Sequence, residues 1–186
     1  MAEPEIAEQF IAAPICTAAE APQRVPDTPG YYAIFIDEPS KLPKPFRDPL
    51  VQKGTTLIYI GIATGSLLER LVKQDLLHQK PSTFFRAIGA ILGYRPPPGS
   101  LAGMKNQHNY RFSVSDTNAI ITWIREHLSV NWSETTPAVA EFEQSLIRKH
   151  SPVINTDANP SPVQELAALR YECRIIARTA HSRTET

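Results

Sequence analysis

A carboxylate on the apolar side of a helix is costly unless something pairs with it, and Glu143 is placed that way. Thr136-Pro137 reads as an N-cap with proline at the first helical position, and the helix it starts runs to His150, before Ser151-Pro152. Val139, Leu146 and Ile147, one turn from Glu143, are apolar, so Glu143 is predicted to project toward the core, where it needs a cation or a metal. Glu141 falls on the surface side. The plain alternative for Glu143 is a helix-edge carboxylate or a structural ion pair with an arginine. A second group lies in Thr55–Leu71, where a phenol (Tyr59), a glycine (Gly61) and a guanidinium (Arg70) come close together, and Tyr32 supplies another phenol. Read singly, these are packed tyrosines with bonded hydroxyls and a snorkelling arginine. His78 and His108 have no ligand spacing, and H-x-x-x-H, C-x-x-C, G-x-S-x-G and P-loop patterns are absent.

These residues need elements to position them. Leu57–Ile62 has the composition of a strand buried on both faces. Ser66 with Glu69 is a capping-box pattern that opens a helix to about Gln79, with Leu67, Leu68, Leu71, Val72 and Leu76 on one face. Pro29–Ile36 is the first strong strand, antiparallel to Leu57–Ile62. Between them Asp37–Thr56, with four prolines and four bases, reads as an irregular polar excursion. Further helices are predicted over Ser82–Leu92, from Asp116 or Thr117 to Leu128, and from Ser161-Pro162 to Arg178. Strands are predicted at Tyr110–Val114 and Val130–Ser133. The class is α+β: a small, mainly antiparallel sheet flanked by helices.

The length of 186 residues suits one domain with an appended tail. Residues 1–24 read as a flexible arm, 25–158 as the domain with an insertion at 37–56, and 159–186 as a C-terminal helix and tail. Two distant cysteines suggest no disulfide scaffold. No apolar run is long enough to span a membrane, and the acidic start lacks a basic signal-peptide region, so a cytoplasmic setting is expected. Net charge is zero, yet residues 66–111 carry seven bases and two acids, an excess suited to phosphates or to an ordinary solvated face.

Taken together, Gly30-Tyr31-Tyr32, Tyr59-Ile60-Gly61, Arg70, Glu143 and Asn155 resemble the ordered motifs of the GIY-YIG nuclease superfamily. The most specific block is Glu143 to Asn155, similar to the E-x-x-L-I-x-x-x-x-P-x-x-N segment of the catalytic domain of the excision-repair nuclease subunit. Homing and restriction endonucleases share the domain. The chain departs from the pattern at Tyr31, where isoleucine is usual, and in the long gap between the two tyrosine motifs.

The resemblance implies metal-dependent hydrolysis of phosphodiester bonds in DNA or RNA. Glu143 would hold Mg²⁺ or Mn²⁺, and Tyr32 would act as, or position, the general base. Tyr59 would orient the phosphate or water, Arg70 would stabilise developing charge, and Asn155 would anchor local backbone. With nucleic acid as partner, Lys73, His78, Lys80 and Arg86 become candidate contacts, as do the bases of the insertion. The alternatives are a non-catalytic nucleic-acid-binding module of the same fold and a restriction- or toxin-type nuclease of narrow specificity.

Overall fold

The computed structural model describes residues 9–179. Its frame is one antiparallel sheet of β1 (Cys16–Thr17), β2 (Gly30–Ile36), β3 (Leu57–Ala63) and β4 (Leu128–Glu134), in spatial order β1-β4-β2-β3. Every residue of β2 is buried. Its side chains alternate between two cores, as the pleat requires. Tyr32, Ile34 and Ile36 join a large core with Leu67, Leu71, Phe84, Phe85 and Ile124. Tyr31, Ala33 and Phe35 join a smaller one with Phe10, Ile11, Leu146 and Ile147.

The helices are α1 (Ala21–Arg24), α2 (Lys44–Lys53), α3 (Leu68–Leu76), α4 (Thr83–Ile91), α5 (Val114–His127), α6 (Ala140–His150) and α7 (Gln164–Arg178). Ser82 and Ser113 cap α4 and α5 through side-chain oxygens that accept from Phe85 N and Asp116 N. The α+β architecture is as expected, and among the described residues no helix is long and apolar enough to cross a membrane.

Several expectations change. The excursion 37–56 is not irregular: it holds a 3₁₀ turn and α2, whose Phe46 and Leu50 are buried one turn apart and whose C-cap Gly54 has φ 63°. Its cations are partly engaged within the fold, Arg47 by Asp48 and Lys53 by the Ser151 carbonyl at 2.9 Å. The β2–β3 register runs evenly from Gly30↔Ala63 through Tyr32↔Gly61 to Ile34↔Tyr59 and shifts between Ile34 and Phe35, at the end next to the excursion. Tyr110 and Phe112 are buried, but their segment forms no strand. The helix expected from Pro137 begins instead at Ala140.

The expected loose arm falls partly outside the described residues. Where it is described it is packed: Phe10, Ile11, Cys16, Ala18 and Ala21 are buried, and β1 pairs with β4. Packing also runs through the boundary expected at 158–159. Helix α7 lies against α4, with Leu166, Cys173 and Ala177 in the large core.

Candidate active site

The strand–helix unit that opens with Tyr59 is organised by a residue that motif reasoning passed over, Asp75. Helix α3 is a π-helix, with i→i+5 hydrogen bonds. Arg70 and Asp75 are five apart and form an ion pair, with side chains 28% and 0% exposed. Asp75 also accepts from the Ser82 hydroxyl at 2.6 Å and from the Tyr32 hydroxyl at 2.5 Å. One buried carboxylate thus joins β2, α3 and the cap of α4. Burial pushes the Asp75 carboxyl up from its ordinary value, while Arg70 and the two hydroxyls favour its charged form.

Tyr32 is fully buried, and Gly61 makes room for it across the sheet. A Cβ on Gly61 would come within 2.3 Å of Tyr32 Cζ. Of the two roles expected for Tyr32, acting as the general base or positioning it, full burial and the bond to Asp75 fit the positioning one and not direct contact with the attacking water. Burial and the neighbouring Asp75 raise its pKa well above the usual phenol value, and its proton is committed to Asp75.

Tyr59 does reach a cleft. With Arg70, Glu143, Arg148, Asn155 and Arg170 it lines a 480 Å³ cavity between β3, α3, α4, α6 and α7. Its ring lies 6.2 Å from that of Tyr32 and 5.0 Å from that of Phe84. Burial, then the field of Asp75, raise the Tyr59 pKa, so at neutral pH its hydroxyl is a donor. Burial also raises the Glu143 carboxyl, opposed by the Arg70 charge and a bond from the Ile62 backbone N–H. Burial works against the Arg70 charge, but Tyr32 and Asp75 outweigh it and hold the guanidinium protonated.

Asn155 closes the outer edge of β3. The Ile60 N–H donates to its Oδ1 at 2.9 Å and its Nδ2 donates to the Ile60 carbonyl at 2.9 Å, while Ile154 N donates to the Ile58 carbonyl at 3.0 Å. The carboxamide thus takes the place of a missing strand and holds the segment after α6 against the strand carrying Tyr59.

Tyr31, the departure from the motif, has a comparable task. Its hydroxyl accepts from Val139 N at 2.8 Å and donates to Val139 O at 3.2 Å, and its ring lies 4.9 Å from Phe142. These contacts hold Val139 extended, which explains the late start of α6, and they fix the first turn from which Glu143 projects.

The expected contacts Lys73, His78, Lys80 and Arg86 do not line this cleft. Lys73 and Lys80 both pair with Glu69, Lys80 at 3.1 Å. His78 stacks on Phe85 with ring centroids 4.1 Å apart, and burial with the Arg86 and Arg111 charges lowers its pKa to about 4, leaving it neutral at pH 7. It borders a separate 260 Å³ cavity with Lys80 and Arg111. Arg86 lies over the Tyr110 ring, 5.7 Å from its centroid.

Asp75 and Arg170 carried the same signal that singled out Glu143. Asp75 follows Leu71 by four and Val72 by three; Arg170 shares the stripe of Leu166, Cys173 and Ala177. A charged residue on a buried stripe was the available clue in each case.

The fold and cleft define a layered α+β domain in which a tyrosine, an arginine and a half-buried glutamate meet on one open wall. The GIY-YIG catalytic domain family matches residues 30–172, and the chain belongs to it. That is a family of nuclease type, which implies a nucleic acid substrate. No curated protein and no solved structure gives a significant match.

Proposed function

We propose that this cleft hydrolyses phosphodiester bonds of DNA, as an endonuclease, with one divalent cation held at Glu143. The observation that carries the reading is the convergence of Tyr59, Arg70, Glu143 and Asn155, from distant parts of the chain, on one cavity.

The donor chemistry fits Mg²⁺ or Mn²⁺. Glu143 is a half-buried carboxylate, Asp157 is a second on the same wall, and neither thiolate nor imidazole lines the cavity. Among the described residues no group of three or more metal-binding side chains forms a closed cage. An oxygen site with few protein ligands suits Mg²⁺, which keeps several waters and takes substrate phosphate as ligand. When bound, the ion would stabilise the leaving 3′ oxygen and polarise the phosphorus.

The chain's own groups do the rest. Arg70, oriented by Asp75, places positive charge where charge develops on the phosphate oxygens. Tyr59, kept protonated, donates to a phosphate oxygen or orients the water. Tyr32 is a positioning residue that fixes Asp75, and Asn155 holds the Glu143 side of the cleft to β3. A non-catalytic module would be favoured by an Arg70–Glu143 salt bridge closed to solvent; Arg70 pairs with Asp75 instead.

The test is cleavage of plasmid DNA and of single-stranded, branched and RNA substrates with Mg²⁺, against an EDTA control. Wild type is expected to nick DNA, with Glu143→Ala and Arg70→Ala losing at least about two orders of magnitude. Absence of cleavage on every substrate removes the enzyme reading. Activity that survives Glu143→Ala removes the metal assignment.

A further inference from the structure

The cleft holds more cation than the motif residues account for. Arg170 comes from α7, where it replaces an apolar residue on the stripe of Leu166, Cys173 and Ala177. Its Nη1 donates to the Thr156 hydroxyl at 3.1 Å, and its Nε is buried with no hydrogen-bond partner. Burial works against the charge of this guanidinium, which also lines the open cavity, so an anion entering the cavity would offset that cost.

The surroundings say which kind. Tyr59, Arg70 and Arg170 line the same cavity, and the charges of both arginines act on the Tyr59 hydroxyl. Arg148 and Thr83 line the same cavity. Arg86 stands behind Thr83, its Nη2 3.5 Å from the Thr83 hydroxyl, and its Nη1 is also buried without a partner. Among the described residues, the carboxylates lining this cavity are Glu143 and Asp157, and Asp157 acts on Arg170. A planar fork of donors beside one threonine hydroxyl, in a cavity that presents another, matches a phosphate, and Arg70 already serves the scissile one.

We propose that Arg170, with Thr156 bonded to it and Thr83 lining the same cavity, forms a second phosphate-binding subsite that holds the phosphodiester next to the scissile bond. The subsite uses a helix outside the motif set and sets where along the strand the cut falls. It rests on the nuclease reading above.

The test is binding without turnover. A short fluorescein-labelled DNA strand is titrated in EDTA with wild type, Arg170→Met, Arg170→Lys and Thr156→Val, over a range of salt concentrations and with melting temperatures recorded. Arg170→Met is expected to weaken binding about 10-fold and to lower the salt slope by about one. Arg170→Lys should keep the slope and regain part of the affinity, and Thr156→Val should keep the slope while losing a few-fold in affinity. The subsite is overturned if Arg170→Met binds with unchanged affinity and slope, or if Arg170→Lys falls as far as Arg170→Met. Should Arg170→Met not fold, Arg170→Lys and Thr156→Val decide: a loss of affinity at an unchanged slope in both supports the subsite, and an altered slope in either, or an unchanged affinity in either, overturns it. A wild type that never cleaves while binding still depends on Arg170 removes the nuclease reading alone. Cleavage that stands while Arg170 proves silent removes the subsite alone.

Discussion

Tyr32→Phe separates two roles that the motif leaves joined. The substitution keeps the ring against Gly61 and 6.2 Å from Tyr59, and it deletes only the hydroxyl that donates to Asp75 at 2.5 Å. A hydrogen bond to a charged group contributes about 1.5–3 kcal/mol. Asp75 retains Arg70 and Ser82 as donors, so it is not left unpaired and the lower part of that range applies, about 2 kcal/mol. For a chain of this size the loss corresponds to a fall of about 4–8 °C in melting temperature. A positioning residue acts on the reaction only through Asp75 and Arg70, so plasmid nicking should fall by no more than about 10-fold. A general base contributes about 10²–10⁴-fold. The assay pairs differential scanning calorimetry with single-turnover nicking. A loss of about 100-fold or more with an unchanged melting temperature would refute the placement of Tyr32 behind the site, since only direct contact with the reacting water gives that combination.

Three further outcomes follow from the same geometry. Gly61→Ala puts a methyl 2.3 Å from Tyr32 Cζ between paired strands, and should cost about 1–3 kcal/mol by urea titration while moving the Tyr32 ring; an unaltered midpoint would contradict the close approach. Asn155→Ala leaves the Ile60 N–H and C=O without their partners at the β3 edge, so a loss of about 1–3 kcal/mol with faster hydrogen exchange at Ile60 is expected, and protection equal to wild type at that amide would count against it. His78 sets a pH dependence of stability. Its folded pKa of about 4 lies below the ordinary 6.5, so the unfolded chain takes up the proton first and stability falls as pH drops from about 6.5 to about 4. Part of the ring is open to water, which discounts the effect to about 1–2 kcal/mol. His78→Asn suits the left-handed φ of 52° and should flatten that slope in denaturant titrations at successive pH values; an identical slope would remove His78 as its source.

How much of this was legible depends on whether the signal was local. Strands β2 and β3 announce themselves through Tyr-, Ile- and Phe-rich runs, and Ser82 marks a helix start from sequence alone, whereas the helix expected from Ser161-Pro162 begins at Gln164 after an uncapped Val163. Helix α2 was hidden by its prolines, although Pro45 sits in the first turn, where a missing N–H is harmless, and Phe46 with Leu50 give the stripe. Tyr110 and Phe112 alternate because both are buried, and burial without a ladder partner makes no strand. The departure at Tyr31 carried no visible role in the sequence because its partner, the Val139 peptide unit, is 108 residues away.

Asp75 shows the limit most plainly. On an α-helix, residues five apart lie on different faces, so a reading in steps of 3.6 sets Arg70 at the edge and never brings it to Asp75. The π-helix, with i→i+5 bonding, makes the pair possible, and with it the buried carboxylate that also receives Tyr32 and Ser82. The sheet, α3 and α4 therefore meet at one charge. A change there should disturb Arg70 in the cleft and the packing of Tyr32 together, whereas a change at Glu143 should disturb the cleft alone. Where a charged residue falls on a buried stripe, as Glu143, Asp75 and Arg170 all do, its cost marks a contact that sequence spacing cannot supply, and two of those three contacts lie on the wall of this cavity.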